Sequence, residues 1–367
     1  MLMKKRDKRV LTAISLLALF LLLWWAEGHL DPYIRRILNL IAINIIWAVT
    51  FNLIYGYTGQ FSLGHGGFIA IGAYVTALLT LSPAQKEQNF FLLPCAWPLN
   101  SVQWPFVPSL IMAILLAGVF GILIGIPSLQ LHGDYMALVT LAFNEVIRVI
   151  NMNLQSITNG SLGLKGIPAY TNLLWSYGCA ILTIFIVWKL GNSSYGRAFK
   201  AIREDEVAAE TIGISAFYHK LMAFTIAAMF AGLGGGLYAN LVSTIDPNLF
   251  SFLLSYQVVT IVVLGGVGSI TGSVLASILY VSLFELLRPI DQPITLGIGV
   301  TIPGRPGMRM VLFSVIFLLV ILFYRRGLMG TNEFSWEWLL LKVQPIKRMM
   351  LWGIRRGKET NDGSKGE

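Results

Sequence analysis

Long apolar runs separated by short polar segments constrain this chain more than any other feature. Most of these runs are long enough to cross the roughly 30 Å hydrocarbon core of a bilayer as a helix. A helix satisfies its own backbone hydrogen bonds, which is what a segment surrounded by lipid requires. The sequence therefore predicts an all-α polytopic membrane protein with about ten transmembrane helices. The predicted spans are 10–27, 37–55, 61–81, 106–126, 135–154, 171–189, 219–243, 255–265, 269–287 and 309–324.

The composition supports this class of protein. Only 12% of the 367 residues are charged, about half of the ~25% found in soluble domains. The span number can range from nine to eleven, because the run at 255–265 is short and broken by glycine and the run at 135–154 is polar. The first run has no small-residue cleavage site after it, so we expect it to be retained as a helix.

The basic residues predict how the spans are oriented. With both termini in the cytoplasm, the N-tail 1–9 contains five Lys and Arg residues, the loop 190–218 with its edges contains five, and the segment after Tyr324 contains nine. The outer loops share only seven. Such an inner excess is typical of membrane proteins. It also accounts for the net charge of +9 without a nucleic-acid partner.

The chain divides into a transmembrane region, 10–330, and a different C-terminal segment. Residues 331–367 combine tryptophans with Lys and Arg and end in a polar run. This pattern predicts an interfacial segment on anionic lipid, followed by disorder.

One charged segment interrupts the apolar pattern. The sequence "GRAFKAIREDEVAAETIG" at 196–213 contains seven charged side chains. It has no proline and many helix-forming residues, so either one helix or two short helices would fit it. Gly213 is placed to end the last turn. The segment is either a solvated loop or a docking element that receives motion from a soluble partner.

Four segments resemble the branched-chain amino acid permease family, that is, the LivM-type subunit of ABC importers. The part 207–213 resembles the Ala-Ala-x-x-x-Gly core of the permease loop that contacts the ATPase, with Val207 in the place of the usual Glu. The segments that carry the resemblance are "GRAFKAIREDEVAAETIGI", "GYTGQFSLGHGGFIAIGAY", "TNGSLGLKGIP" and "GGVGSITGSVLAS".

The resemblance implies a transport subunit of the bacterial inner membrane that is not an enzyme and binds no cofactor. It implies two ABC ATPase partners that bind ATP, a second homologous permease subunit (the same chain or a different one) and a periplasmic substrate-binding protein. The implied cargo is a branched-chain or other neutral amino acid. The residues expected to couple the chain to the ATPase are Arg197, Ile202, Arg203, Glu206, Ala208, Ala209 and Gly213.

Glycines and polar residues within the spans predict a translocation path. Glu145 and Arg148 are three residues apart, so they share a helix face and can pair. A charge at the bilayer centre costs about 2.5–3.5 kcal/mol on insertion scales, so the pair either locks the helix to its neighbours or lines the path. The predicted path residues are Gly64, Gly66, Gly67, Asn144, Glu145, Arg148, Gly265 and Gly266.

Two other functions remain open on the sequence. An ion-coupled secondary transporter would use Glu145 as its ion site, but it has no evident use for the charged loop. An ABC permease for urea or short amides differs from the amino acid permease only in its cargo. The sequence contains no His-Glu-x-x-His pair and no Gly-x-Ser-x-Gly elbow, so we predict no metal site and no catalytic residue.

Overall fold

The structure is a computed structural model, and its described part is almost entirely helical. It describes residues 5–333 except 132, 292–293, 297–299, 303–306, 325 and 331. The helices are α1 (Lys5–His29), α2 (Pro32–Asn52), α3 (His65–Thr80), α4 (Pro83–Asn89), α5 (Phe106–Ser128), α6 (Asp134–Asn153), α7 (Gln155–Thr158), α8 (Leu173–Gly191), α9 (Ser194–Glu204), α10 (Glu206–Thr211), α11 (Ala216–Val242), α12 (Phe252–Gly265), α13 (Ile270–Leu286) and α14 (Met308–Phe323).

The chain separates into two units. Trp24–Asn332 form one compact unit that contains all the helices after α1. The other unit takes in 1–23 and 333–367, and its described part is Glu333 and the helical residues 5–23. Helix α1 begins at Lys5, inside the predicted N-tail. The predicted interfacial and disordered tail lies outside the described residues, apart from Asn332 and Glu333.

Each predicted span coincides with a helix, but ten crossings are not confirmed. Six helices in the described part of the chain are long and apolar enough to cross a membrane. A seventh crossing results if α3 and α4, which are bent by 119° at their junction, count as one span. The other apolar helical stretches, Leu17–His29, Phe252–Gly265 and Met308–Val320, are shorter, at 10–17 residues. The chain is an all-α multi-pass membrane protein.

Helix α11 lies at the centre of the larger unit and packs mainly against α3 and α5, while α2 packs against α8 and α13. Small residues allow the closest approach. Gly72 of α3 faces Gly232 of α11, and a Cβ added to Gly72 would overlap the Gly232 carbonyl group. Lipid gives no hydrophobic drive for helix association. Close packing of this kind therefore supplies much of the free energy that holds membrane helices together.

The crossing that contains α2 ends in an irregular turn. Residues Leu53–Tyr57 form a π-helical turn, and α3 begins only at His65, four residues after the start of the predicted span 61–81. Asn52 fixes this end to the turn between α12 and α13. Its Oδ1 accepts the Gly268 N–H at 2.9 Å, and its Nδ2 donates to the Ser269 carbonyl oxygen at 2.9 Å.

Two small antiparallel strand pairs lie in the connections between helices. Strand β1 (Leu164–Lys165) pairs with β2 (Thr244–Ile245), and Leu164 lies opposite Ile245. Strand β3 (Ile294–Leu296) pairs with β4 (Val300–Ile302) in the connection between α13 and α14. These short pairs leave the chain essentially all-α.

Candidate functional site

The charged segment folds as two short helices, α9 and α10, which together form the α9–α10 element. Asp205 separates them in an extended conformation, with φ −158° and ψ 113°. Its backbone N–H bonds to Ala201 at the end of α9, and its carboxylate accepts the Ala208 N–H at 3.0 Å. The same residue therefore ends one helix and caps the next. Of the two arrangements left open by the sequence, the structure has the two-helix one.

The inner face of the α9–α10 element is apolar. Ile202 is 4% exposed and Ala209 is 2% exposed, and both pack with Ala216 at the start of α11. Phe199 of α9 is fully buried as well and packs in the main hydrophobic core. Ile202 and Ala209, which the sequence predicted to couple the chain to its partner, thus hold the two short helices against the membrane bundle.

Charged side chains add further ties to the bundle. The Arg203 guanidinium donates to the Gly56 carbonyl oxygen at 2.8 Å, at the π-helical turn after α2. Glu206 forms an ion pair with Lys220 of α11. Arg203 and Glu206 therefore connect α9 and α10 to two different membrane helices.

The outer face of the element is partly apolar as well. Val207 is 73% exposed and Ile212 is 74% exposed, and Ala208 lies next to Val207 on the exposed surface. Gly213 has a φ of +87°, a left-handed conformation that favours glycine and ends α10 as predicted. Ile212 is not among the predicted coupling residues, and Val207 enters the prediction only as a departure from the family pattern. The sequence signal for both residues is a large apolar side chain within a charged segment.

Arg197 lies apart from these contacts. Its guanidinium donates to Ser194 Oγ at 2.8 Å, within α9, and its side chain is exposed. It therefore differs from Arg203, which reaches the membrane helices.

The predicted path glycines near the start of α3 lie at a helix junction. A Cβ on Gly66 would lie 2.7 Å from Asn144 Oδ1, and one on Gly67 would lie 2.9 Å from the Phe143 ring. Gly64, the residue before α3, packs in the same way on Thr140 of α6. These glycines let α3 approach α6 closely. Buried Asn144 donates a long hydrogen bond of 3.4 Å to the carbonyl oxygen of Phe250.

Glu145 and Arg148 form the predicted pair, with Nε 2.7 Å from Oε2. The other oxygen of Glu145 accepts the N–H of Phe252, the first residue of α12, at 3.2 Å. Arg148 also donates to Asn248 at 3.4 Å. A carboxylate at a helix N-terminus is favourable because the N–H groups there point towards it. The contacts favour the structural interpretation, in which the pair ties α6 to α12.

Gly265 and Gly266 lie at the turn between α12 and α13. Gly265 faces Gly272 across this turn, too closely for a side chain at either position. Gly266 has a φ of +112°. The backbone N–H of Met329 donates to the Gly265 carbonyl oxygen at 3.0 Å, so the described segment after α14 covers this turn.

A cavity of about 240 Å³ lies between α2, α11, α12 and α13, and none of the predicted path residues lines it. Its polar wall contains Asn44 of α2 and Gln257 of α12, whose side-chain amides are joined by a 3.0 Å hydrogen bond. Glu285 lines it as well and accepts hydrogen bonds from Tyr33 and Arg288. The sequence alone gives little sign of Asn44 or Gln257, because one polar residue in an apolar run is a weak signal.

Among the described residues, no group of three or more His, Cys, Asp or Glu side chains is placed to hold a metal ion. The features that are present are a bundle of membrane-crossing helices, a cavity between them with polar side chains in part of its wall, and an exposed two-helix element. Together they define the class of membrane transport permeases.

Comparison with known proteins identifies the family within this class. The family model described as "Branched-chain amino acid transport system / permease component" matches residues 33–323. The chain belongs to this permease family, as the four sequence segments predicted.

Individual relatives agree. The chain is 34% identical over 328 residues to the high-affinity branched-chain amino acid transport system permease protein LivM of Escherichia coli (strain K12), covering 80% of this chain and 72% of that protein. It is 26% identical to the probable LivM permease of Methanocaldococcus jannaschii, over 79% of this chain and 93% of that one. It is 25% identical to LivH of Salmonella typhimurium, over 62% and 76%.

Proposed function

We propose that this chain is the membrane-spanning subunit of an ATP-driven ABC importer for branched-chain or other neutral amino acids in the bacterial inner membrane. Its family membership and the cargo named for its relatives support this. The chain itself binds no cofactor, and two partner ATPases bind and hydrolyse ATP. A periplasmic binding protein delivers the cargo. Similarity to both LivM and LivH relatives supports pairing with a second, related permease subunit.

The observation that carries the proposal is that the α9–α10 element has apolar residues on both a buried and an exposed face. Ile202 and Ala209 face the bundle, while Val207 and Ile212 face outwards. An isolated helix of six residues is unstable in water, so α10 owes its shape to its inner contacts. The exposed apolar pair then offers a partner a small, fixed surface. An ion-coupled carrier has no evident use for such an element.

The proposed topology has ten crossings with both termini in the cytoplasm and the α9–α10 element on the same side. Single cysteines at Val207 and at Leu92, which is 62% exposed in the predicted outer loop 82–105, test it after Cys95 and Cys179 are replaced by serine. A membrane-impermeant maleimide should label Val207→Cys only in inverted vesicles and Leu92→Cys only in spheroplasts. The opposite pattern would overturn the topology and the docking role together.

The energy source is tested by the uptake of labelled leucine in intact cells. Uptake should survive a protonophore while ATP is maintained and should stop when ATP is depleted. Immediate collapse with the protonophore would favour the ion-coupled alternative. Competition by excess valine, but not by urea or acetamide, would identify amino acids as the cargo, and the reverse competition would identify short amides.

A further inference from the structure

We propose that the cavity between α2, α11, α12 and α13, here called the amide cavity, holds the cargo as it crosses the membrane. The inference rests on the proposed function and names the site and the chemistry of its ligand. The amide cavity has a volume of about 240 Å³, just below the ~300–1,000 Å³ of pockets for drug-sized ligands. It therefore suits a single small solute of amino acid size.

The polar wall of the amide cavity offers hydrogen bonds to a solute. Gln257 Nε2 donates to Asn44 Oδ1 at 3.0 Å, and Asn44 Nδ2 donates to the Leu40 carbonyl oxygen at 2.8 Å. The Oε1 of Gln257 accepts no hydrogen bond from the part of the chain that the structure describes. Polar side chains inside membrane helices are costly and usually face a cavity or the bundle interior. This free acceptor can bind the ammonium group of an amino acid.

A charged side chain lies at another part of the wall. Glu285 lines the amide cavity, and Arg288 Nη1 donates to its carboxylate at 2.8 Å. The hydroxyl of Tyr33 donates to the same carboxylate. The Glu285 carboxylate faces the cavity and can attract the ammonium group of an amino acid, while Arg288, which does not line the cavity, offsets its charge. Because the pair is neutral overall, the cavity gives no strong preference for a basic solute over a zwitterion.

The remaining wall is apolar. Leu254 of α12 and Val281 and Phe284 of α13 line it. Aliphatic and aromatic surfaces favour an aliphatic side chain, because its burial removes apolar area from water. Side-chain amides, the Glu285 carboxylate and an apolar wall in one small cavity fit an amino acid with a branched aliphatic side chain better than they fit urea.

The competing interpretation is that Asn44 and Gln257 only join two helices. Hydrogen bonds between membrane helices often have that role. The chain contains a matched pair for comparison, because Ser176 of α8 donates to Asn39 of α2 at 2.6 Å and both residues are buried. Neither Ser176 nor Asn39 lines the amide cavity. The two pairs differ in access to the cavity.

The first test measures whether leucine protects the amide cavity. Val281→Cys, with Leu254→Cys as a second reporter, is made in a chain with Cys95→Ser and Cys179→Ser and studied in the complete transporter in native membrane vesicles. Leucine at about ten times its dissociation constant should slow maleimide labelling of either cysteine about tenfold, since an occupied site is shielded. Leu279→Cys is the control, because Leu279 is 42% exposed and does not line the cavity.

Equal labelling rates with and without leucine at both reporters would overturn the cavity assignment, as would equal protection of Leu279→Cys. If ATP-driven leucine uptake is intact in the same vesicles, that failure leaves the proposed function standing. Protection of Val281→Cys in vesicles whose uptake ignores ATP would instead support the cavity and overturn the proposed function.

The second test separates ligand contact from helix joining. Gln257→Leu should lower the maximal rate of leucine uptake per inserted copy about tenfold, the scale expected when a polar contact to a ligand is lost. Ser176→Ala, which removes the matched pair, should leave the rate per copy unchanged. An unchanged rate in Gln257→Leu, or an equal loss in both variants, would overturn the proposal.

Discussion

The guanidinium of Arg203 donates a 2.8 Å hydrogen bond to the carbonyl oxygen of Gly56, which joins the end of α9 to the π-helical turn after α2. Gly268 lies beside the same guanidinium, because a Cβ on Gly268 would be 3.4 Å from Nη1. The Gly268 N–H in turn bonds to Asn52 at 2.9 Å. One side chain of the α9–α10 element therefore meets both the end of α2 and the α12–α13 turn.

Replacing Arg203 by alanine should weaken the transfer of motion from the α9–α10 element to these helices. The hydrogen bond of a charged group contributes about 1.5–3 kcal/mol, so we expect leucine uptake to fall about tenfold while the ATPase activity of the complex persists. Uptake and ATP hydrolysis are measured in the same proteoliposomes.

Arg197→Ala is the matched control for this substitution. Arg197 is also an arginine of α9, but its guanidinium bonds to Ser194 within the helix. Uptake that falls equally in both variants would show that positive charge, rather than the contact with Gly56, is what matters.

A charge on the outer face of α10 should prevent docking without unfolding the chain. We expect Ile212→Asp to insert at normal abundance but to lose the ATPase subunits on purification, because the exposed apolar surface becomes charged. Ala209→Asp provides the contrast. Ala209 is 2% exposed, and burying a carboxylate costs several kcal/mol, so this variant should expose the element to protease. Retention of the ATPase by Ile212→Asp would argue against docking at this face.

Replacing Glu145 by alanine should destabilise the protein. The substitution removes the pair with Arg148 and the acceptor for the N–H of Phe252, and we expect a loss of about 1.5–3 kcal/mol. Glu145→Gln keeps an acceptor at the same place and should recover much of the loss. Protein abundance and thermal stability in detergent are the measurements. Normal abundance of Glu145→Ala with reduced uptake would instead place Glu145 on the translocation path.

A single added methyl group should disturb the contact between α3 and α11. In Gly72→Ala the new Cβ overlaps the Gly232 carbonyl group, and overpacking of this kind costs about 1–3 kcal/mol. Gly178→Ala is the control, because nothing lies within 4 Å of a Cβ at Gly178 in α8. Thermal unfolding in detergent should occur at a lower temperature for Gly72→Ala and should be unchanged or higher for Gly178→Ala. Equal unfolding temperatures would show that the contact is loose.

The sequence predicted those features that depend on local chemistry. Apolar runs located the helices, and Gly213 ended α10 because its left-handed backbone favours glycine. The start of α3 was misplaced, because hydropathy does not distinguish an irregular segment from a helix when both are apolar. Helix α3 begins at His65, whereas the predicted span began at residue 61.

Features that depend on distant residues could not be predicted in this way. Asn44 and Gln257 are 213 positions apart in the chain, so neither local pattern indicates the other. The burial of Ile202 and Ala209 is set by Ala216 of α11. A helix pattern alone shows which residues share a face, but it does not show whether that face meets the bundle or a partner.

The π-helical turn at Leu53–Tyr57 interrupts the regular α-helix at the end of its crossing. Sharp bends in helices concentrate at such turns, because the regular ladder of hydrogen bonds is already interrupted there. The carbonyl group that accepts the hydrogen bond of Arg203 thus lies where the regular helix of this crossing is already interrupted.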